Sequence, residues 1–199
     1  MPASLLALSR ELKAMAEAGL RYSEGPYDLE RYRRLHQIAS EVLHAACPGF
    51  RWPLEFGYAT PKVDVRGAVI EDGRILLVRE AASGLWTLPG GWADLNHTPA
   101  ENVARELREE TGLEVGVERL VAVLDRDRHG HPPQPEHVYK LFFLCVRRGG
   151  APATSLEISG VEFFTPGQLP ELCPYRIQPE QIRLCFAHHA DPALPTAWD

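Results

Sequence analysis

The chain has 199 residues, 45 % hydrophobic and 24 % charged, which is the composition of an ordinary soluble globule with enough apolar residues for a sizeable core. Its net charge of -6 excludes a partner held mainly through nucleic-acid phosphates, since residues 1–58 balance their charges and the acidic excess falls on the remainder. The four cysteines, Cys47, Cys145, Cys173 and Cys185, form no CxxC pair and read as reduced thiols, and no apolar run is long enough to span a bilayer, so a cytoplasmic protein is expected.

Two helices open the chain. Leu5, Leu8, Leu12 and Met15 recur at helical spacing behind a Ser4 cap, and "EGPYD" interrupts them. Leu29, Tyr32, Leu35, Ile38, Val42 and Leu43 then resume the period behind a cap expected at Asp28. Each stripe needs cover from the other helix, from the rest of the chain or from a second subunit. The connector "CPGFRWPLEFGYATP" follows, and around it lie Tyr22, Tyr27, Tyr32, Phe50, Trp52, Phe56 and Tyr58. Such aromatics ordinarily pack one element on another; the alternative is a cage for a cation, with Glu24, Asp28 and Glu55 among them.

From residue 62 the period changes. "KVDVRGAVI", "EDGR" and "ILLVRE" read as strand, glycine turn and strand, and "LWTLPGGWA" as a short strand ending in a Pro-Gly-Gly turn. After a helix, "LVAVLDRD", "HVYKLFFLCVRR" and "GVEFF" read as strands and "PEQIRLCFAHH" as a closing helix with Pro179 in its first turn. The expected class is α/β (α+β), with a helical hairpin and connector over 1–58 and the main domain over 59–199.

The middle helix carries the chemistry. Thr98, Pro99 and Glu101 form a capping box with proline at the first helical position. Ala100, Val103, Ala104 and Leu107 then face the core, while Glu106, Glu109 and Glu110 share an adjoining arc. Carboxylates three and four residues apart repel by roughly 0.2–0.5 kcal/mol per pair. A glutamate-rich face is commonly just solvated, but this one borders the apolar stripe and springs from a Gly-Gly turn, an arrangement suited to a hard divalent cation.

"GWADLNHTPAENVARELREETGL", 91–113, resembles the Nudix box, G-x5-E-x7-R-E-U-x-E-E-x-G-U, where U is a bulky aliphatic. Gly91, Arg105, Glu106, Leu107, Glu109, Glu110, Gly112 and Leu113 match; His97 stands where the family has glutamate. The resemblance implies an αβα sandwich around a mixed sheet and metal-dependent hydrolysis of a nucleoside diphosphate linked to a group X. It implies that Glu106, Glu109, Glu110 and the Gly90 carbonyl hold Mg²⁺ or Mn²⁺, and that Arg105 holds the carboxylates in place. With His97 in the glutamate position, Glu101, four residues before Arg105, is expected to become the arginine's partner.

The N-terminal hairpin followed by "KVDVRGAVI" is similar to a bacterial subgroup with a helical extension, which includes CDP-choline pyrophosphatases and proteins called ADP-ribose pyrophosphatases. That similarity implies CDP-choline or ADP-ribose as substrate and a homodimer. Lys62, Arg66 and Arg79 are candidates for phosphate or ribose contact, or else surface charges, and Trp92 can pack or stack on a base. In "DRDRHGHPPQPEH", 125–137, His131 offers a base and His129 a phosphate contact, while a three-histidine metal site with His137 is the weaker reading; Glu157 is the rival base. A nucleotide sensor that does not hydrolyse is the alternative in another class, although mere binding would not need all three glutamates.

Overall fold

A computed structural model describes residues 4–53, 55 and 57–199. Its described residues group into two units. One is Met1–Pro61 with Pro133–His137, and the other is Lys62–Pro132 with Val138–Asp199.

The first unit is a helical hairpin of α1 (Leu5–Tyr22) and α2 (Pro26–Ala46). Ser4 caps α1 by accepting from the Ala7 N–H at 3.1 Å. α2 starts at Pro26 behind Gly25, not behind Asp28, because proline at the first position has its backbone dihedral preset and no N–H to satisfy. Asp28 lies inside the first turn and pairs with Arg31 at 3.0 Å.

The face of α1 turned inward also differs from the expected stripe. Ser9, Lys13, Ala16, Glu17 and Leu20 are buried, whereas Leu5, Leu8 and Met15 are exposed. Small residues let the helices approach, with Ala16 and Ala39 both at 0 % exposure and the Ser9 hydroxyl donating to the Ala39 carbonyl at 2.7 Å. Burial of Lys13 and Glu17 is tolerable because they pair at 2.8 Å. Lys13 also reaches Glu55 at 3.1 Å and lies over the Trp52 ring, 5.2 Å from its centroid.

Arg10 fastens the segment 133–137 to this hairpin, donating to the carbonyls of Pro135, Gln134 and Glu136 at 2.7, 2.8 and 2.9 Å. Of the aromatic cluster, Tyr22, Tyr27, Phe50 and Tyr58 are exposed, and Phe56 lies outside the described residues.

The second unit contains β1 (Lys62–Glu71), β2 (Arg74–Glu80), β3 (Trp86–Thr87), α3 (Pro99–Thr111), β4 (Leu113–Asp125), β5 (Val138–Gly150), β6 (Ile158–Phe164), α4 (Pro179–Ala190) and β7 (Ala197–Trp198). The strands form a mixed sheet in the order β3-β2-β1-β5-β4-β7, with β6 on β2. β1 and β5 run parallel over eight register pairs, Lys62 with Val138 through Val69 with Cys145. β4 begins at Leu113, directly behind α3, earlier than the sequence pattern suggests, and β7 was not expected at all.

Alternation along the strands sends side chains to two cores. Val65, Val69, Leu76 and Phe143 pack under Val103 and Leu107 of α3, whereas Ala68, Ile75, Leu77, Phe142 and Leu144 pack under Ile182 and Cys185 of α4. The result is the expected αβα sandwich. Gly67 lets α3 settle onto β1, since a Cβ there would stand 2.3 Å from a Leu107 methyl.

Candidate active site

The site begins with the turn after β3. The Val65 N–H donates to Gly91 O at 2.8 Å, Gly67 N–H to Pro89 O at 3.0 Å and Ala93 N–H to Val63 O at 2.9 Å, stitching the turn along the free edge of β1. Gly90 has φ 135°, and a Cβ on it would lie 2.0 Å from the Val65 carbonyl oxygen, so only glycine fits. Its N–H points at α3 and donates to Glu110 Oε2 at 2.8 Å.

α3 is placed by its caps. Thr98 and Glu101 form the reciprocal capping box behind Pro99, and Gly112 closes the helix in the left-handed conformation. Asn102, fully buried, ties the preceding loop to the helix. Its amide oxygen accepts from the Asp94 N–H at 2.9 Å and its NH₂ donates to the carbonyls of Asp94 and Thr98 at 3.2 Å. Only one signal in the sequence marks this residue, a polar side chain beside the apolar stripe, one turn into the helix.

Arg105 is the hub of the exposed side. It bonds Asp94 at 2.8 Å, Glu106 and Glu109 at 3.1 Å, and the Asn102 oxygen at 3.3 Å. Glu101 does not serve as its partner, contrary to expectation. The Glu101 carboxylate is consumed by the Thr98 N–H and hydroxyl, at 2.7 and 2.9 Å, and Asp94 takes the arginine instead. His97 is exposed, with Nδ1 3.1 Å from the Leu95 carbonyl.

The carboxylates strain against one another. Burial pushes the Glu110 pKa up to about 7, Arg66 and the Gly90 N–H pull it down, and Glu106 and Glu157 push it further up. Burial likewise raises Glu106, opposed by Arg105 and reinforced by Glu109. Glu157, exposed at the entry to β6, is therefore within electrostatic reach of Glu110. Among the described residues no three His, Cys, Asp or Glu side chains converge on one metal position; Arg105 and the Gly90 N–H hold the glutamates instead.

Behind the glutamates lies a buried ionic group. Asp64 accepts from Arg66 Nε at 3.1 Å to each oxygen and from Nη2 at 2.8 Å, and it also pairs with Lys140. Arg66 further donates to Leu88 O at 3.0 Å. Asp64, Arg66 and Lys140 are at most 4 % exposed, so Arg66 is neither a surface charge nor an open phosphate contact; it acts on Glu110 through its field. Burial brings Lys140 down to about 8, against the pull of Asp64. Asp64, despite its burial, is held below the usual carboxylate range by the two cations.

The other candidates are dispersed. His131 sits against α4, with Nδ1 2.7 Å from the Pro174 carbonyl and Nε2 3.0 Å from the Gln181 amide nitrogen. Those partners assign Nδ1 as donor and Nε2 as acceptor, a neutral ring, and burial presses its pKa down to about 4. The structure thus does not bring His131 to the glutamates. His129 pairs with Asp199 at 2.8 Å near β7, so it shares no metal position with His131. Arg79 is exposed and donates to Gly84 O at 2.9 Å, Lys62 is exposed at the start of β1, and Trp92 is exposed beside the glycine turn, bridged to Asp64.

A sheet between α3 and α4, a glycine turn that holds Glu110, and an arginine that holds Glu106 and Glu109 are the features of a Nudix hydrolase. The NUDIX domain model matches residues 61–184 and the model for a UDP-X-like N-terminal oligomerisation domain matches residues 3–47; the chain belongs to the Nudix family and is a pyrophosphohydrolase. It is similar to YjhB of Bacillus subtilis, provisionally named an ADP-ribose pyrophosphatase, at 41 % identity over 96 % of this chain and 95 % of that one. A crystal structure of a UDP-X diphosphatase matches with TM-score 0.66 and 33 % identity over 98 % of both chains. One of an ADP-ribose pyrophosphatase from Streptococcus suis matches with TM-score 0.65 and 38 % identity over 70 % of this chain and all of that one.

Proposed function

We propose that the protein hydrolyses the pyrophosphate bond of a nucleoside diphosphate joined to a group X, giving a nucleoside monophosphate and phospho-X. ADP-ribose is the first substrate to test and CDP-choline the second. The observation that carries this is the glutamate cluster on α3, whose carboxylates are held close enough for burial and mutual repulsion to lift Glu110 to about 7. An anionic cluster only partly offset by Arg105 and Arg66 is costly to the fold and useful once a cation arrives.

The donor set suits Mg²⁺ or Mn²⁺. Its oxygens are hard, its charge is in excess, and Gly91 leaves the Glu106 carboxylate room that a Cβ would restrict, at 3.1 Å from its Oε2. Such an ion, when bound, neutralises the pyrophosphate oxygens and lowers the pKa of the attacking water. Glu106, Glu109, Glu110 and the Gly90 carbonyl are the residues that would hold it. Arg105 keeps Glu106 and Glu109 aligned, and Glu157 is the base we favour because its charge already reaches Glu110. Water adds to phosphorus, the P–O–P bond breaks, and the base takes the water's proton.

The N-terminal match and the exposed Leu5, Leu8 and Met15 support a homodimer formed through the hairpin. Four cysteines that are buried and free suit a reducing compartment, and among the described residues no helix is long and apolar enough to cross a membrane; we place the enzyme in the cytoplasm. The decisive experiment presents ADP-ribose, CDP-choline, other nucleoside diphosphate sugars, dinucleoside polyphosphates and nucleoside triphosphates with each metal, and identifies the products. Turnover confined to nucleoside triphosphates would overturn the reading.

A further inference from the structure

A cavity of about 380 Å³ lies at the β4–β7 edge of the sheet, lined by Val123, Asp125, Arg128, Tyr139, Trp198 and Asp199. None of these belongs to the glutamate site, and of the sequence candidates only His129 touches the group, through Asp199. The volume is that of a small-ligand pocket.

Its position follows from the register. Ala93, just past the glycine turn, pairs with Val63; Val63 stands opposite Tyr139, and Tyr139 opposite Asp125. Tyr139 shares a face of β5 with Leu141, which packs in the core beneath α3. The cavity therefore opens on the face that carries the glutamates. Three strand spacings of about 4.8 Å put it roughly 14 Å from the glycine turn, a reach suited to the far part of a ligand whose pyrophosphate lies at the glutamates.

The lining has the chemistry of a base site. Tyr139 and Trp198 present large aromatic surfaces, 41 % and 79 % exposed, and Trp198 stands on β7 opposite Val123. Two carboxylates flank them. Asp199 is held in place by the Asp125 N–H at 2.6 Å and by His129 at 2.8 Å, yet a carboxylate has lone pairs for further donors. Arg128, with Nε 3.7 Å from Asp125, puts a cation on the rim, which disfavours a quaternary ammonium as occupant.

We propose that this cavity seats the nucleobase of the substrate. The base stacks on Trp198 and Tyr139, and its exocyclic amino group donates to Asp125 or Asp199. The site therefore favours adenine and cytosine over uracil, which offers no amino group. The proposal rests on the nucleoside diphosphate reading above, but it can be tested without turnover.

The full-length protein is titrated calorimetrically with AMP, CMP, UMP and ribose 5-phosphate, beside Trp198→Ala, Trp198→Phe and Tyr139→Leu. We expect AMP or CMP to bind more tightly than UMP and ribose 5-phosphate. Trp198→Ala should weaken that binding at least about tenfold, the scale of one base–aromatic stack, with recovery in Trp198→Phe. Tyr139→Leu keeps an apolar side chain on the strand and should weaken it too, so the test survives fraying of β7. Equal affinity of wild type and both truncated variants for AMP and CMP overturns the proposal, as does equal loss of ribose 5-phosphate binding. A Trp198→Ala protein that weakens CDP-choline but not CMP overturns it in favour of a cationic occupant. If ADP-ribose is hydrolysed with the same KM by Trp198→Ala, the base site falls and the proposed function stands. If nothing is hydrolysed but AMP binding still depends on Trp198, the function falls and the base site stands.

Discussion

Glu110→Gln should stabilise the metal-free protein at alkaline pH while abolishing its activity. The folded state holds the Glu110 proton to about pH 7 against the ordinary glutamate value of 4.5, so it binds that proton more tightly than the unfolded chain does. The stability linked to that proton is fully present below about 4.5 and drains away as the pH rises through about 7. At 1.36 kcal/mol per pKa unit the loss approaches 3 kcal/mol by pH 8.5, an upper bound because the group keeps some solvent contact. Glutamine never ionises, and its side-chain oxygen can still accept from the Gly90 N–H. Thermal unfolding at pH 4.5 and pH 8.5 in EDTA should show the two proteins converging at the lower pH and the variant ahead at the higher, by several degrees in Tm at about 2–4 °C per kcal/mol for a chain of this size. Added Mn²⁺ should then stabilise wild type far more than the variant. A difference that is constant across the pH range, or a variant less stable at pH 8.5, would refute the account of Glu110 as a buried carboxylate repelled by its neighbours.

Three other expectations follow from the same geometry. Asp94→Ala removes the shortest bond to Arg105 and should lower kcat/KM about tenfold, whereas Glu101→Gln weakens only the exposed cap and should lower the denaturant midpoint slightly with little effect on turnover. Asp64→Ala leaves Arg66 and Lys140 as uncompensated buried cations and should destabilise the fold by about 3–5 kcal/mol, with Asp64→Asn milder, as chemical denaturation would show. In the pH–rate profile, Glu157→Gln should alter a limb that His131→Ala leaves where it was, since the His131 ring is already neutral and engaged on both nitrogens.

What could be read from the sequence was written in local spacing. Thr98, Pro99, Glu101 and Gly112 fix the ends of α3 within fifteen residues, and helical geometry sets the three glutamates on one arc, while their role rests on the resemblance of 91–113 to the Nudix box. What could not be read depends on partners far along the chain. Asp64 and Lys140 are 76 residues apart and meet because β1 and β5 run side by side, which no window on either strand reveals. Attention to His97 pointed toward Glu101, the nearest carboxylate along the helix, while the actual partner, Asp94, comes back to Arg105 through a loop held by Asn102. On α1 the apolar period suggested the wrong inward face, because Lys13 and Glu17 neutralise each other and small residues decide the approach. β7, two residues long, is too short to have a period at all.

The grip of Arg10 on residues 134–136 bears on how such a chain can be recombined. Those carbonyls belong to a stretch whose flanking residues on both sides lie in the hydrolase unit, yet their donor comes from the first helix. A chimera that grafts another relative's hairpin onto this chain at residue 59 would carry half of a matched pair unless the loop 133–137 travels with it. Parts that must be exchanged together are separated here by more than 120 residues, so the unit of transplantation is discontinuous in the gene although it is continuous in space.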